Sequence, residues 1–264
     1  MSPIAASKLS VLQTETYGRV RRLTLSRAEQ FNALSEDLLE ALESELFRAS
    51  VDPELRVVIL AAEGKAFCAG HDLKQMRAAP SLEYYQSLFA RCTKVMMLIQ
   101  RMPQVVIARV QGLATAAGCQ MVGMCDLAVA CTEARFAVSG VNLGLFCSTP
   151  SVALSRNLSR KQAFEMLVTG EFMSAQQALE KGLVNSVVEP DRLDSEIERL
   201  TQLILAKPAA ALVAGKGLFY KQLEMGMEAA YQLAGQTMAC NMMESAALEG
   251  VQAFIDKRPP AWSL

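Results

Sequence analysis

The chain has 264 residues and a net charge of −1, from 26 Lys and Arg against 27 Asp and Glu. That length buries a large core, in one big domain or in a main domain with a smaller appendage. Interspersed charges of both signs leave no electrostatic footprint for nucleic acid or an anionic membrane, and neither is expected as a partner.

In chain order, residues 1–10 lack a charged segment followed by an apolar core. No secretion signal is read, so the expected compartment is the cytoplasm, or the mitochondrial matrix for a chain whose transit peptide has been removed. Residues 10–15 and 20–25 mix apolar and polar side chains around Tyr17-Gly18, which predicts a hairpin opening a sheet. Ser35 reads as a helix N-cap, with Glu36 and Asp37 in the first turn and Leu38, Leu39, Leu42 and Leu46 forming one apolar stripe. Residues 57–62 are continuously apolar, the pattern of a strand covered on both faces. The next stretch, Glu63-Gly64-Lys65-Ala66-Phe67-Cys68-Ala69-Gly70-His71-Asp72-Leu73, reads as a loop whose glycines and small residues permit tight backbone geometry. Residues 81–102 are helical in pattern, with Leu88, Val95, Leu98 and Ile99 on one side and Pro103 as the stop.

The rest of the chain is organised around residues 108–130. The run Val105-Val106-Ile107-Ala108 turns at Gln111-Gly112, and a helix rich in Met and Ala opens near Ala117 with its free N–H groups pointing outward. Such an end suits a ligand oxygen that carries or develops negative charge, and equally a close-packed turn in a core. That run, 105–118, is broken by Arg109 and Gln111 and is too short to span a bilayer. A buried strand at 127–131 follows, then a loop over 137–150 leading into a helix near Ser151. Helices are predicted at 159–169 and 174–181, a strand at 183–188, and a helix capped by Asp191 that carries Leu193, Ile197, Leu200, Leu203 and Ile204. Beyond Pro208, Met225, Met227, Met238, Met242 and Met243 read as adaptable core or subunit contacts. The seven cysteines, Cys68, Cys92, Cys119, Cys125, Cys131, Cys147 and Cys240, form no C-x-x-C pair and read as reduced, mostly buried thiols rather than disulfides or a zinc site. Strand-and-helix units followed by helices alone predict an α/β core with a C-terminal helical cap.

Several spaced motifs resemble one family, the crotonase or enoyl-CoA hydratase/isomerase superfamily. They are Phe31-Asn32-Ala33-Leu34, Lys65 to Leu73 as spelled out above, and Ala117-Gly118-Cys119-Gln120 with Cys125-Asp126. Thr169-Gly170-Glu171, Ser174-Ala175-Gln176-Gln177-Ala178 and Gly182-Leu183-Val184 continue the match. The resemblance implies an α/β fold, the crotonase (ClpP-like) spiral of ββα units. It implies a core with an acyl-CoA site over residues 1–200, a helical trimerisation region over 201–264, and a homotrimer or hexamer. Members hold the thioester oxygen with two backbone N–H groups, which fall here on His71 and Ala117. Coenzyme A, entering as part of an acyl-CoA thioester with no tightly bound cofactor and no metal, would lie along Arg27, Ala28, Lys65, Ala66, Ala69 and Gly70. Phe254 and Lys257 would reach in from the C-terminal helix, and residues 77–87 with the helix after Pro208 would shape the acyl pocket.

The chain departs from that pattern where hydratases carry their two glutamates. These fall on Gln120 and Gly140, and a third position, acidic in some members, falls near Ser148. The chain thus looks like the enoyl-CoA hydratase domain-containing subgroup that lacks the catalytic glutamates. An amide does not exchange protons near neutral pH, and glycine offers no side chain. Three readings stay open. One is an acyl-CoA enzyme of altered chemistry using His71, Ser139, Asn142, Cys147 or Ser148. Here Ser139-Gly140-Val141-Asn142-Leu143-Gly144 resembles methylmalonyl-CoA decarboxylases and dihydroxynaphthoyl-CoA synthases, in the latter of which a glycine leaves room for a bicarbonate base. The second is a non-catalytic acyl-CoA-binding or regulatory protein, and the third a weak hydratase or isomerase with water relayed by Gln120. Asp72 and Asp126 read as local caps or staples, and Cys119 and Cys147 as inert thiols with no basic neighbour.

Overall fold

The computed structural model describes residues 11–262. Residues 1–10, with the signal reading made on them and the Ser10 start of the hairpin, lie outside the described residues. β1 (Leu12–Tyr17) and β2 (Val20–Leu25) form the antiparallel hairpin, Tyr17 opposite Val20. α1 (Glu36–Ser50) starts where its cap predicts: the Ser35 side chain accepts from the Leu38 N–H. Its stripe of Leu38, Leu39, Leu42 and Leu46 is fully buried, worth roughly 2 kcal/mol per side chain. β3 (Val57–Ala62) is buried along its whole length.

The stretch read as a loop contains a short strand, β4 (Ala66–Cys68), before α2 (Leu73–Ala78). α3 (Leu82–Arg101) buries Leu88, Val95 and Ile99 as the spacing predicts, together with Cys92 and Met96. β5 (Val105–Val110), β6 (Leu113–Thr115), α4 (Ala117–Met124), β7 (Leu127–Cys131) and β8 (Arg135–Ala137) follow in close succession. A 3-10 turn over Ser139–Leu143 then leads to α5 (Ser148–Asn157). This helix begins three residues before the expected Ser151, because Pro150 falls in its first turn, where a missing N–H costs nothing. α6 (Arg160–Thr169), β9 (Met173–Ser174), α7 (Ala175–Lys181) and β10 (Ser186–Val188) come next, the last shorter than the strand expected from residue 183. Asp191 does not cap α8 (Leu193–Leu205); it sits inside a 3-10 turn over Pro190–Arg192 that takes up the chain just before the helix.

The strands form two sheets among the described residues, ordered β1-β2-β3-β5-β7-β10 and β4-β6-β8-β9. Pairing is parallel from β2 through β3, β5 and β7 to β10, and from β4 through β6 to β8. Each successive pair, β3–β4, β5–β6 and β7–β8, sends one strand to each sheet, which is the ββα spiral. α9 (Ala209–Gln222), α10 (Met227–Met242) and α11 (Ser245–Ile255) complete the chain. α9 is pinned to the core by Lys216, whose ammonium donates to Ile99 O, Gln104 O and Asp126 Oδ2 at 3.0, 2.7 and 2.6 Å. The same carboxylate accepts from Val106 N–H and Tyr220 OH, so the staple role read for Asp126 holds. Met227, Met238 and Met243 are exposed by 70% or more, which removes them from this chain's own core.

Candidate active site

Two backbone segments meet at the site, and the residues around them dictate how. Phe31 and Asn32 both adopt left-handed backbone, at φ +50° and +53°. The buried Asn32 side chain accepts from Arg27 N–H and donates to Glu63 O and Ala66 O, all at 2.8 Å, tying three loops together. Leu34 N–H donates to Gly70 O at 2.7 Å and Asp72 N–H to Leu34 O at 3.2 Å, which fixes the residues on either side of His71. Among the described residues, the His71 N–H itself meets no acceptor. Asp72 caps α2 by accepting from the Lys74 and Gln75 N–H groups, and Arg27 holds it at 3.0 Å. These hydrogen bonds and the guanidinium outweigh its burial and lower its carboxyl pKa.

The second segment is the start of α4. Ala117 is its first residue, and its N–H also meets no acceptor among the described residues. The preceding Ala116 sits at φ +49°, held by its N–H donating to Ala137 O at 2.9 Å. Close approach of the two segments depends on glycine. Gly70 is at φ +93°, and a β-carbon there would lie 2.8 Å from Ala116 Cβ and 3.4 Å from Ala117 N. A β-carbon on Gly118 would lie 2.0 Å from Cys68 O, so α4 can start against β4 only without one.

His71 and Ala117 line one cavity of about 310 Å³ with Ala69, Thr115, Ser139 and Gly140. Its apolar wall comes from Leu73, Met76, Phe89, Leu143, Leu145, Phe146 and Pro150, and Cys147, Ser148 and Thr149 complete the polar side. No lining residue is Asp, Glu, Lys or Arg. The His71 ring packs edge-on against Phe89 with centroids 5.4 Å apart, and neither ring nitrogen, both buried, has a hydrogen-bond partner among the described residues. Burial in these surroundings pushes its pKa down to about 4, so the imidazole is neutral at pH 7. Burial likewise raises the thiols, Cys119 to about 12 and Cys147 above its ordinary value, in keeping with inert cysteines.

Gln120 lies one turn further along α4, buried and outside the cavity lining, with its Oε1 unpartnered. Gly140 lines the cavity. A β-carbon would lie 2.5 Å from Leu145 O and 2.7 Å from Cys147 Sγ, because the turn folds its own chain into that space. Of the residues assigned to coenzyme A, only Ala69 lines the cavity; Ala66 and Gly70 are buried behind it, Lys65 is exposed, and Arg27 is engaged with Asp72 and Ala33 O. Ala28 lies in a 3-10 turn against Gly64. Phe254 and Lys257 do not line the cavity, and Phe254 is 86% exposed at the end of α11. Residues 77–87 are not among the lining residues; α2 and Phe89 flank them and do that work. Asn142 is exposed and outside the cavity. Phe89 escaped the sequence reading, although an aromatic beside the buried stripe of α3 rather than on it was a usable signal.

Comparison with known proteins agrees with this architecture. The family model described as enoyl-CoA hydratase/isomerase matches residues 15–264. The rat protein named enoyl-CoA hydratase domain-containing protein 3, mitochondrial, is 44% identical over 257 residues, covering 97% of this chain and 86% of that protein. A crystal structure of enoyl-CoA hydratase from Mycobacterium smegmatis is 62% identical, with a TM-score of 0.94 and coverage of 96% of this chain and 98% of that one. The crystal structure of human enoyl-CoA hydratase domain-containing protein 3 is 43% identical, with a TM-score of 0.92 and coverage of 96% and 100%. The chain belongs to the enoyl-CoA hydratase/isomerase family, the crotonase superfamily, within its enoyl-CoA hydratase domain-containing subgroup.

Proposed function

We propose that the protein binds an acyl-CoA thioester and polarises its carbonyl between the His71 and Ala117 N–H groups, without the acid–base pair that hydration requires. The observation that carries this reading is the pairing of two unsatisfied backbone donors at one cavity whose lining contains no carboxylate. Ala117 adds the positive end of the α4 dipole, and removing one donor of such a pair costs roughly 3 kcal/mol of barrier. The neutral His71 is a weak base, and Gln120 lies outside the lining, so water addition lacks both proton carriers. The alternative is a decarboxylase- or synthase-like acyl-CoA enzyme that uses a water or bicarbonate in the cavity beside Gly140, which lines it.

Residues 201–264 are the assembly region in this reading. Phe219, Leu223, Met227, Tyr231 and Met238 stand exposed on α9, α10 and their connection, an apolar surface suited to a homotrimer or hexamer. The test of function is hydration of crotonyl-CoA and longer enoyl-CoAs by pure protein, with calorimetric titration of the same thioesters. Binding without hydration is expected. Turnover at the level of ordinary hydratases would overturn the missing acid–base pair, and absence of any acyl-CoA affinity would overturn the whole reading.

A further inference from the structure

We propose that the cavity at the N-terminus of α9 is a second binding site, which takes a small organic carboxylate with its head on the Arg56 guanidinium and its short apolar body against Leu55, Pro103, Leu212 and Val213. The site stands apart from the acyl-thioester reading above. This cavity of about 280 Å³ lies at the N-terminal ends of β3 and β5, whereas His71 and Ala117 follow their C-terminal ends, and the two cavities share no lining residue. Arg56 lines it and is only 8% exposed. Its guanidinium donates from Nη2 to Lys207 O at 2.7 Å, while Nε and Nη1 meet no acceptor among the described residues and remain open to solvent. No carboxylate among the described residues pairs with it; burial and the charge of Arg19 both press its pKa down.

An arginine cannot shed its proton, so when buried it calls for an anion in place of the water it has lost. The start of α9 adds to the same demand. Its cap, Pro208, offers no side-chain acceptor, its first turn holds no acid, and the N–H groups of Ala209, Ala210 and Ala211 meet no acceptor among the described residues. Ala209 lines the cavity, and the bond from Arg56 to Lys207 O, two residues before the helix, sets the guanidinium beside the positive end of its dipole. Asp52 also lines the cavity, but Arg21 holds one of its carboxylate oxygens at 3.2 Å and the Glu54 N–H donates to the other at 3.1 Å. That neighbouring negative charge favours one charge on the ligand over two, and so a carboxylate over a phosphate. The planar fork of arginine matches a carboxylate head. Leu55, Pro103, Leu212 and Val213 leave the rest of the space apolar, which suits a hydrocarbon body.

The experiment titrates the full-length protein calorimetrically with hexanoate, with hexanamide, which has the same body and no charge, and with acetate, which is little more than the head. Hexanoate is expected to bind about tenfold more tightly than either, with an affinity unchanged by excess butyryl-CoA. In Arg56→Met its affinity should fall to that of hexanamide. Ala209→Glu supplies a carboxylate of the chain's own in the first turn of α9, where it also favours the helix. Its urea midpoint should hold or rise while hexanoate affinity falls about tenfold, and it decides the matter if Arg56→Met does not fold. Hexanoate binding no tighter than hexanamide or acetate would overturn the assignment. So would a preference for hexanoate that survives in the variants, or displacement of hexanoate by butyryl-CoA, which would put it in the cavity at His71.

Discussion

Acidification from pH 7 to pH 4 should cost the folded protein about 3 kcal/mol through His71 alone. The unfolded chain takes up this proton as the pH falls through 6.5, whereas the buried ring resists it until about pH 4. Each unit of difference is worth about 1.4 kcal/mol, and roughly 2.5 units give the figure. The sign is fixed by the direction of the shift: the unfolded state binds more protons throughout that window, so stability is full above pH 6.5 and fades as the pH falls toward 4. Urea unfolding at pH 7, 5.5 and 4 on the wild type and on His71→Leu isolates the term, because all carboxylates titrate alike in both. The wild type should lose about 3 kcal/mol more than the variant across that range. A proton NMR titration of the single histidine supplies the midpoint without assignment. A midpoint at or above 6.5, or parallel pH profiles for the two proteins, would refute the claim that this ring is buried without a partner.

Three further outcomes test the packing behind the site. Gly118→Ala would place a β-carbon 2.0 Å from Cys68 O, forcing α4 away from β4; a loss of about 3 kcal/mol or more in urea unfolding is expected, with loss of acyl-CoA affinity in calorimetry. Lys216→Met leaves the Asp126 carboxylate buried without its cation and should cost about 3 to 5 kcal/mol. The double variant Lys216→Met with Asp126→Leu should unfold at a higher urea concentration than Lys216→Met alone, and additive losses would contradict the pairing. Ala116→Gly removes the Cβ from a residue at φ +49°; thermal unfolding should show a gain of about 1 kcal/mol, and a loss would mean that the Ala116 backbone is unstrained.

Much of the fold was legible because its signals are local. The stripe of α1 with its Ser35 cap, the fully apolar β3 and the helix opening at Ala117 each depend on residues within one element. The strands that escaped, β4, β6, β8 and β9, are two or three residues long, too short for any periodicity to show. Asp191 misled for a related reason: it has the chemistry of a cap, but a 3-10 turn moved the helix start past it. The left-handed Phe31-Asn32 pair and its ties to Glu63 and Ala66 join residues more than thirty positions apart, and no local pattern encodes such a contact.

The sequence by itself determined that backbone would come close to something at Gly70 and at the start of α4, since small residues and a helix N-terminus leave few other uses. It also determined that positions 120 and 140, a glutamine and a glycine, carry no carboxylate, because absent side chains cannot be restored by folding. Only the tertiary structure decided that His71 and Ala117 line one cavity together with Gly140. It also decided that the His71 ring lies buried with two free nitrogens. Each of these is a relation between segments far apart in the chain, fixed by sheet pairing and close packing, and such relations are absent from the order of residues.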